Sequence, residues 1–383
     1  MRLTKILRWS LGAALPLCFA VPAMAAETHG YVISWFATAT HAADFATNCP
    51  ENRNGGRTEL TIRALIDIGY TREEALDMVK NAAVSTALPA DVTKKMENRA
   101  IVNGKPQSIY NYPEAVHDPN LETVIGKFAY GFDLGGRTEA NKFEDLDTRQ
   151  KVDNQLWRAV GCTESFRAIP PVMPYPEELA WNLMIDTAPA WVFSITGDDL
   201  SKDGKVTVTL DRVTQHMERD ASGNVLSNMT YVLEQGTRSH NVLQGEIKDG
   251  MLSITPAEIY LEGEMPYYSE IAIRNTHMRI NTRNPDAKLV GYWGGYINWT
   301  RFIYMYTSRP GNNADSIGLY HALKRMADSD PDPKTGQNRY ISTTWRMEAT
   351  PAYIAKADGK IIASPAPRNT TVPEKVADAS VRP

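Results

Sequence analysis

The sequence predicts a mixed α+β fold with an antiparallel β-sandwich-like core, an N-terminal helical elaboration and a C-terminal helix. Three observations predict it: strand-like alternation between residues 190 and 300, turn pairs at hairpin spacing, and helix-capping patterns nearer the N-terminus. With 383 residues, 43% of them hydrophobic, the chain can bury a large core in one elaborate domain or two. We divide it into a signal peptide (1–25), a helix-rich N-terminal region (26–187), a β-rich region with the C-terminal helix (188–364) and a disordered tail (365–383).

The N-terminus has the order of charges and apolar residues that is typical of a secretory signal peptide. Arg2, Lys5 and Arg8 precede the apolar run LGAALPLCFAV. Ala23 and Ala25 then stand at the two positions that signal peptidase recognises. The run has about 11 residues, whereas a membrane-spanning helix needs about 20. We therefore expect cleavage after Ala25, no transmembrane segment in the mature chain, and export to the periplasm or the extracellular space.

The charge of the chain argues against a nucleic-acid partner. The formal net charge is -4 at pH 7, and loss of the predicted signal peptide removes three more cations. A moderately acidic surface repels a phosphate backbone, and the sequence contains no basic stripe interleaved with aromatic residues. The sequence therefore predicts no nucleic-acid binding and leaves a protein or glycan partner unidentified.

The cysteine count predicts one disulfide. Cys18 lies in the predicted signal peptide, so an exported chain retains Cys49 and Cys162, which most simply pair in an oxidising compartment. Two separate thiols are the alternative. Neither cysteine belongs to a C-x-x-C or C-x-x-C-H motif, so the sequence does not indicate a thioredoxin-type redox site or a covalently attached haem.

The stretch TELTIRALIDIGYTREEALDMVKNA (58–82) predicts two helices. Gly69 ends the first helix, and Thr71 with Glu74 forms the capping box that begins the second. Residues 84 to about 120 carry scattered proline, asparagine and glycine, which predicts an irregular connection.

The stretch KFEDLDTRQKVDNQLWRAVGC (142–162) predicts a capped helix. Asp147 followed by Gln150 is typical of an N-terminal cap, apolar residues then recur at helical spacing, and Gly161 ends the helix. Cys162 would tie this helix to the loop that contains Cys49.

Two acidic stretches are candidate calcium sites, because an exported protein meets this ion and carboxylate oxygens are its ligands. Neither matches a standard calcium loop: the spacing of the first fits none, and the second, DSDPDPKTGQN, lacks the expected glycine and the glutamate at position twelve. A capped helix and a proline-rigidified turn are the alternatives. No cofactor is firmly indicated, and calcium is the one candidate. The candidate ligands are Asp145, Asp147 and Asp153 in the first stretch and Asp328, Asp330 and Asp332 in the second.

Between residues 190 and 300 the apolar period changes to two. In KVTVTLDRV (205–213), valine and leucine alternate with threonine and aspartate, as in a half-buried strand. Three turn pairs separate such segments, and Asp-Gly is a strong hairpin signal. We therefore expect five to seven short antiparallel strands in a sandwich or a barrel, and we take the sandwich as the core. The turn pairs are Asp203-Gly204, Ser222-Gly223 and Asp249-Gly250.

The run GYWGGYINWTRFIYMY (291–306) is unusually aromatic and precedes a predicted helix at 314–327. Rings at this density can form a platform on which a sugar stacks, or they can belong to the core. The candidate ligand-binding residues are Tyr292, Trp293, Tyr296 and Trp299.

Catalytic motifs are scarce in this sequence. It contains no G-x-S-x-G elbow, H-E-x-x-H helix, P-loop or dinucleotide-binding fingerprint. Glu262 and Glu264, in EIYLEGEMPYYSE (258–270), are candidate paired carboxylates for glycoside hydrolysis, and an exposed strand face is the alternative explanation. The seven histidines are dispersed, and none has metal-ligand spacing.

Together these observations predict an exported binding or structural protein. The alternative is a hydrolase that acts on an envelope or extracellular glycan. A third class, electron transfer with non-covalent haem, would need an axial histidine or methionine that faces a cavity. A cleft shared by the glutamates and the aromatic run would favour the enzyme, and a closed apolar core would favour the scaffold.

Overall fold

A computed structural model of the chain describes residues 26–41, 45–51, 54, 56–85, 88–135, 141–170, 172–265, 268–307 and 313–367. The predicted signal peptide and most of the predicted tail, residues 368–383, lie outside the described residues. The helices are α1 Phe45–Asn48, α2 Gly56–Asp67, α3 Arg72–Ser85, α4 Ala90–Glu97, α5 Gln155–Val160, α6 Tyr175–Thr187, α7 Trp299–Thr307 and α8 Asn313–Met326. The strands are β1 Glu27–Thr38, β2 Ala100–Val102, β3 Lys105–Gln107, β4 Phe128–Ala129, β5 Phe143–Asp145, β6 Lys151–Val152, β7 Trp191–Gly197, β8 Gly204–Arg212, β9 Thr230–Val232, β10 Asn241–Lys248, β11 Met251–Ile254, β12 Ala257–Glu262, β13 Glu270–Asn281, β14 Leu289–Asn298, β15 Ser329–Pro331, β16 Asn338–Pro351, β17 Tyr353–Ala355 and β18 Ile361–Ala363.

Eight antiparallel strands form a closed barrel in the order β1, β7, β8, β10, β11, β13, β14 and β16, and β16 pairs back onto β1. The prediction of a mixed α+β fold is confirmed, and the prediction of a sandwich is wrong. A half-buried strand shows the same alternation in both architectures, so periodicity does not distinguish them. The pairing between β1 and β16 shows that the core is a barrel, because this pairing removes the two free edges of the sheet.

Aromatic side chains fill the inside of the barrel. The ring of Phe36 on β1 stacks on Trp345 of β16, with centroids 5.0 Å apart. It also meets Trp293 and Trp191 at an angle, at 5.1 and 6.0 Å. All four side chains are buried. The barrel therefore encloses a packed core in this region.

The prediction of antiparallel strands between 190 and 300 is confirmed in part, since eight strands lie there and not five to seven. Of the three predicted turn pairs, Asp249-Gly250 forms a hairpin turn, while Gly204 already belongs to β8 and Ser222-Gly223 lies within an isolated bridge between Arg219 and Val225. Val206, Val208 and Leu210 of β8 are buried, while the threonines between them are half-buried. Asp249 and Gly250 join β10 to β11 with φ of 52° and 72°, the two positive values that a tight hairpin of this kind requires.

The helical hairpin of the N-terminal region is also confirmed, as α2 and α3. The Thr71 N–H donates to Glu74 Oε2 at 2.8 Å, and the Glu74 N–H donates to Thr71 Oγ1 at 3.2 Å, which is a reciprocal capping box. Gly69 has a φ of 103° at the end of α2. The expectation of an irregular connection after residue 84 is wrong in part, since α4 and the β2–β3 hairpin lie there.

The helix predicted from Asp147 is shorter than expected. It begins at Gln155 as α5, and its cap is Asn154, whose side chain accepts from the Trp157 N–H at 3.0 Å. Asp147 instead lies in the turn between β5 and β6, because the buried carboxylate of Asp145 accepts the N–H groups of that turn. A turn cap and a helix cap use the same residue types, so the local pattern does not separate them.

The predicted disulfide between Cys49 and Cys162 is confirmed. It joins the segment that follows β1 to the segment that follows α5, at a sequence separation of 113. Both cysteines are buried in a small apolar cluster with Phe143, Val152 and Trp157.

Helix α8 confirms the helix predicted at 314–327, whereas α6, β1 and β16 were not predicted from the sequence. Within the described ranges, no helix combines the length and the apolar character that crossing a membrane requires. No finding tests the predicted region boundaries at 187 and 364, which stay predictions.

Replacing Cys49 and Cys162 by alanine together should lower the free energy of unfolding by about 4 kcal/mol, since a loop of this length loses much of its unfolded-state entropy when it is closed. Urea denaturation of the two proteins measures the difference. Reductant should destabilise the wild type by a similar amount and leave the double variant unchanged. A wild type that is insensitive to reductant would contradict the assignment.

Candidate functional site: a cleft at one end of the barrel

A cleft of about 790 Å³ lies at the end of the barrel where β14 leads into α7. Its walls come from β12, the first half of β13, α7 and the beginning of β16. This volume is in the range of small-molecule sites, roughly 300–1,000 Å³. The cleft is therefore the candidate functional site.

The cleft exists because β12 separates from the barrel wall. β10 forms ladder pairs with β11, while β12 pairs with β13. The side-chain amide of Asn241 bridges the gap: its Nδ2 donates to the Tyr260 carbonyl and its Oδ1 accepts from the Tyr260 N–H, both at 2.9 Å. The amide thus replaces the two hydrogen bonds that a backbone partner would form, and it holds β12 at the side of the cleft.

The apolar part of the cleft is formed by buried side chains from five elements. Ile259 comes from β12, Ile271 and Ile273 from β13, Ile297 from β14, Phe302 from α7 and Trp345 from β16. Along β13 the two isoleucines alternate with the exposed Ala272 and Arg274, so the strand pattern that fills the barrel also lines this cleft.

Ion pairs hold two arginines of the cleft in place. Arg301 Nε donates to Glu270 Oε1 at 2.8 Å. Arg274 donates to Asp330 at 3.3 Å, and its Nε lies 3.7 Å from Glu258. The two glutamates that line the cleft are therefore next to arginines.

Two arginines also lie over tyrosine rings. The Cζ atom of Arg238 is 4.4 Å from the ring centroid of Tyr260, and that of Arg274 is 4.1 Å from the ring centroid of Tyr340. Burial, followed by the charge of Glu270, raises the pKa of Tyr260. Its hydroxyl stays protonated at neutral pH and lies 3.5 Å from Glu270 Oε2.

The four aromatic residues predicted to bind a ligand lie elsewhere. Trp293, Tyr296 and Trp299 are buried, and Tyr292 stacks on Tyr130 with centroids 4.8 Å apart. None of these four is among the described residues that line the cleft. The same run nevertheless contributes seven residues to the lining: Ile297, Asn298, Thr300, Arg301, Phe302, Tyr304 and Met305.

The predicted catalytic pair surrounds a buried arginine outside this lining. Arg212 of β8 pairs with Glu264 and lies 4.0 Å from Glu262 and 3.2 Å from Glu234. Glu262 also accepts from the Thr237 hydroxyl at 2.9 Å. In this arrangement the glutamates neutralise Arg212, whose side chain is only 10% exposed.

Asp145, the first candidate calcium ligand, is the acceptor of a polar network. Its carboxylate accepts from the Gly131 and Thr148 N–H groups at 2.9 and 2.8 Å and from Arg279 at 3.1 Å. Burial opposes ionisation, but the Thr148 N–H and the charge of Arg279 outweigh it, so the pKa of Asp145 is lowered. Burial raises the pKa of its neighbour Asp147 in spite of Arg279.

The other acidic candidates occupy separate environments. Asp153 accepts from the Leu134 N–H at 2.9 Å, and Asp328 from the Ser342 N–H at 2.8 Å. Asp330 pairs with Arg339 at 2.7 Å, and Asp332 accepts N–H groups of its own turn. Across the described part of the chain, no three His, Cys, Asp or Glu side chains form a group able to hold a metal ion. A melt in calcium and in chelator would test the calcium hypothesis, which stays a prediction.

Sequence reasoning missed the polar residues of the cleft. Arg238, Tyr260 and Arg274 belong to no motif and come from different strands or loops. The one available signal was the charge and ring content of EIYLEGEMPYYSE, which contains Tyr260 and Glu270.

Comparisons of the chain with protein-family models, with curated proteins and with solved structures found no match.

Asp145→Asn should lower the free energy of unfolding by about 3 kcal/mol at pH 7, because it leaves Arg279 without its buried counterion. The folded-state pKa of Asp145 is lowered, so its stabilisation is present above the unfolded-state pKa of about 3.9 and is lost as the pH falls through the folded-state value. Denaturation at pH 7 and at pH 3 should show the difference between variant and wild type shrinking in acid.

Asp186→Asn is the matched control, since Asp186 forms an exposed pair with Arg219 and its loss should cost less than about 1 kcal/mol. An effect of Asp145→Asn that is equally small, or that persists unchanged at pH 3, would contradict the assigned role.

Proposed function

We propose that this protein is an exported binding protein whose cleft takes up a small, mostly apolar molecule. The observation that carries the proposal is the cleft itself: buried apolar side chains from β12, β13, β14, α7 and β16 lie beside polar and charged side chains, which include three arginines and two glutamates. Ligand pockets generally combine these two features, since apolar area supplies affinity and a few polar groups orient the ligand.

The packing of the barrel favours this cleft over the barrel interior as the binding site. Phe36, Trp191 and Trp293 occupy the interior, so a ligand there would have to displace a packed core. The end of the barrel beside β12 and α7 needs no such displacement.

Export is supported by the disulfide, because such bonds persist mainly in oxidising compartments. A binding role in the periplasm or outside the cell agrees with the predicted signal peptide.

The alternative, a glycan hydrolase, has less support from the geometry. Glu262 and Glu264 contact Arg212 and are not among the described residues that line the cleft. Glu270, which does line the cleft, is paired with Arg301. Arginine side chains thus engage these three carboxylates, whereas a glycan hydrolase needs a pair of carboxyl groups that face the substrate.

The uncharged fluorescent probe N-phenyl-1-naphthylamine should bind wild-type protein saturably with enhanced emission. Ala272, an exposed cleft residue on β13, can be replaced by tryptophan to fill the site. Ala272→Trp should weaken probe binding about tenfold, which corresponds to a loss of about 1.4 kcal/mol of apolar contact. A fluorescence titration measures both affinities.

Ala287→Trp is the matched control, because Ala287 is exposed in the loop between β13 and β14 at the other end of the barrel. It should leave probe affinity unchanged. Equal affinities of all three proteins would place the probe outside the cleft and contradict the proposal.

A further inference from the structure

The ion pairs at the cleft leave one of its arginines without a partner among the described residues. Three arginines and two glutamates contribute to the lining. Glu270 is paired with Arg301, and Glu258 and Asp330 both lie near Arg274. Within the described residues, Arg238 forms no ion pair, and its guanidinium packs against the ring of Tyr260. The cleft therefore contains one cation without a counterion, in a chain whose net charge is negative.

The position of Arg238 leaves its donors available. Its guanidinium lies over the Tyr260 ring, with Cζ 4.4 Å from the centroid. Its N–H groups form a fork that matches a carboxylate, and among the described residues none of them donates a hydrogen bond to another side chain or to the backbone. The contact with Tyr260 therefore restrains the side chain without using the hydrogen bonds that an oxyanion needs.

Tyr260 positions the Arg238 guanidinium within the cleft. Its backbone is held by the Asn241 amide, and its hydroxyl faces Glu270. In the β12–β13 ladder Tyr260 lies opposite the exposed Ala272, and the neighbouring pair Leu261 and Ile271 is buried on the other face. Arg238 lines the same cleft as Ile271, Phe302 and Trp345, which is the arrangement that an amphipathic molecule requires.

We propose that the ligand of the cleft is an amphipathic monocarboxylate, whose carboxylate binds Arg238 and whose apolar body packs against Ile271, Phe302 and Trp345. This inference rests on the proposed binding function. A single negative charge matches the single uncompensated cation. A phosphate dianion would bring a second charge toward Glu258 and Glu270, and a cationic head would meet Arg238 at close range.

Displacement of N-phenyl-1-naphthylamine at pH 7.5 by four molecules with the same C12 chain tests the head-group choice. We expect dodecanoate to displace the probe at about fivefold lower concentration than dodecan-1-ol, with dodecyl phosphate and dodecyltrimethylammonium weaker than dodecanoate. Added salt should weaken dodecanoate and leave the alcohol unaffected, because the Arg238 pair is exposed to solvent.

Arg238→Gln should weaken dodecanoate about tenfold and leave dodecan-1-ol unchanged, since only the carboxylate uses the guanidinium. Arg238→Lys should retain part of the preference for the acid, because it keeps the charge but not the fork. The matched control is Arg283→Gln, which removes an exposed arginine at the other end of the barrel and should change neither affinity.

The carboxylate inference would be overturned if dodecanoate and dodecan-1-ol displaced the probe equally, or if Arg238→Gln affected both equally. Either result would leave the proposed binding of a small molecule in the cleft intact. Tighter binding of dodecyl phosphate through Arg238 would overturn it in favour of a phosphate head. Absence of saturable probe binding to the wild type would overturn the binding function and this inference together.

Discussion

The rest of the structure depends on the closure of the barrel by β1. This strand pairs with β7 on one side and β16 on the other, and Tyr31 is in register with both Phe193 and Pro351. Closure satisfies the backbone groups that would otherwise form two exposed edges, and it encloses the aromatic cluster around Phe36. Both effects require the first strand of the described chain to meet one of the last, so the fold is built on contacts between residues that are distant along the chain.

The N-terminal region is attached to the outside of this barrel by close contact and by charge. A Cβ atom on Gly294 of β14 would lie 2.3 Å from the Phe132 ring, so glycine is what allows that ring to approach the wall. Arg279 of β13 reaches out from the same wall to Asp145, and its guanidinium lies between the rings of Phe132 and Tyr292. The disulfide then secures the segment on which these contacts depend.

The cleft follows from the same architecture. Because β12 departs from the barrel wall and is held by Asn241, the barrel end opens beside β13, and α7 supplies the opposite side. The aromatic core prevents a ligand from entering farther into the barrel. The site therefore combines apolar positions that belong to the barrel pattern with polar positions that lie at its edge, and this combination supports the binding function proposed for the protein.

By itself the sequence determined the features that depend on neighbouring residues: the capping box at Thr71, the hairpin at Asp249-Gly250 and helix α8. The disulfide also followed, because only two cysteines remain after the predicted cleavage. Tertiary structure decided the rest. Asp147 lies in the turn that the buried Asp145 carboxylate stabilises, and not at the start of the expected helix. Closure of the barrel depended on the pairing of β1 with β16. The cleft brings together Arg238, Tyr260 and Trp345, and no local pattern encodes contacts across such separations, because they depend on how the strands pair in space.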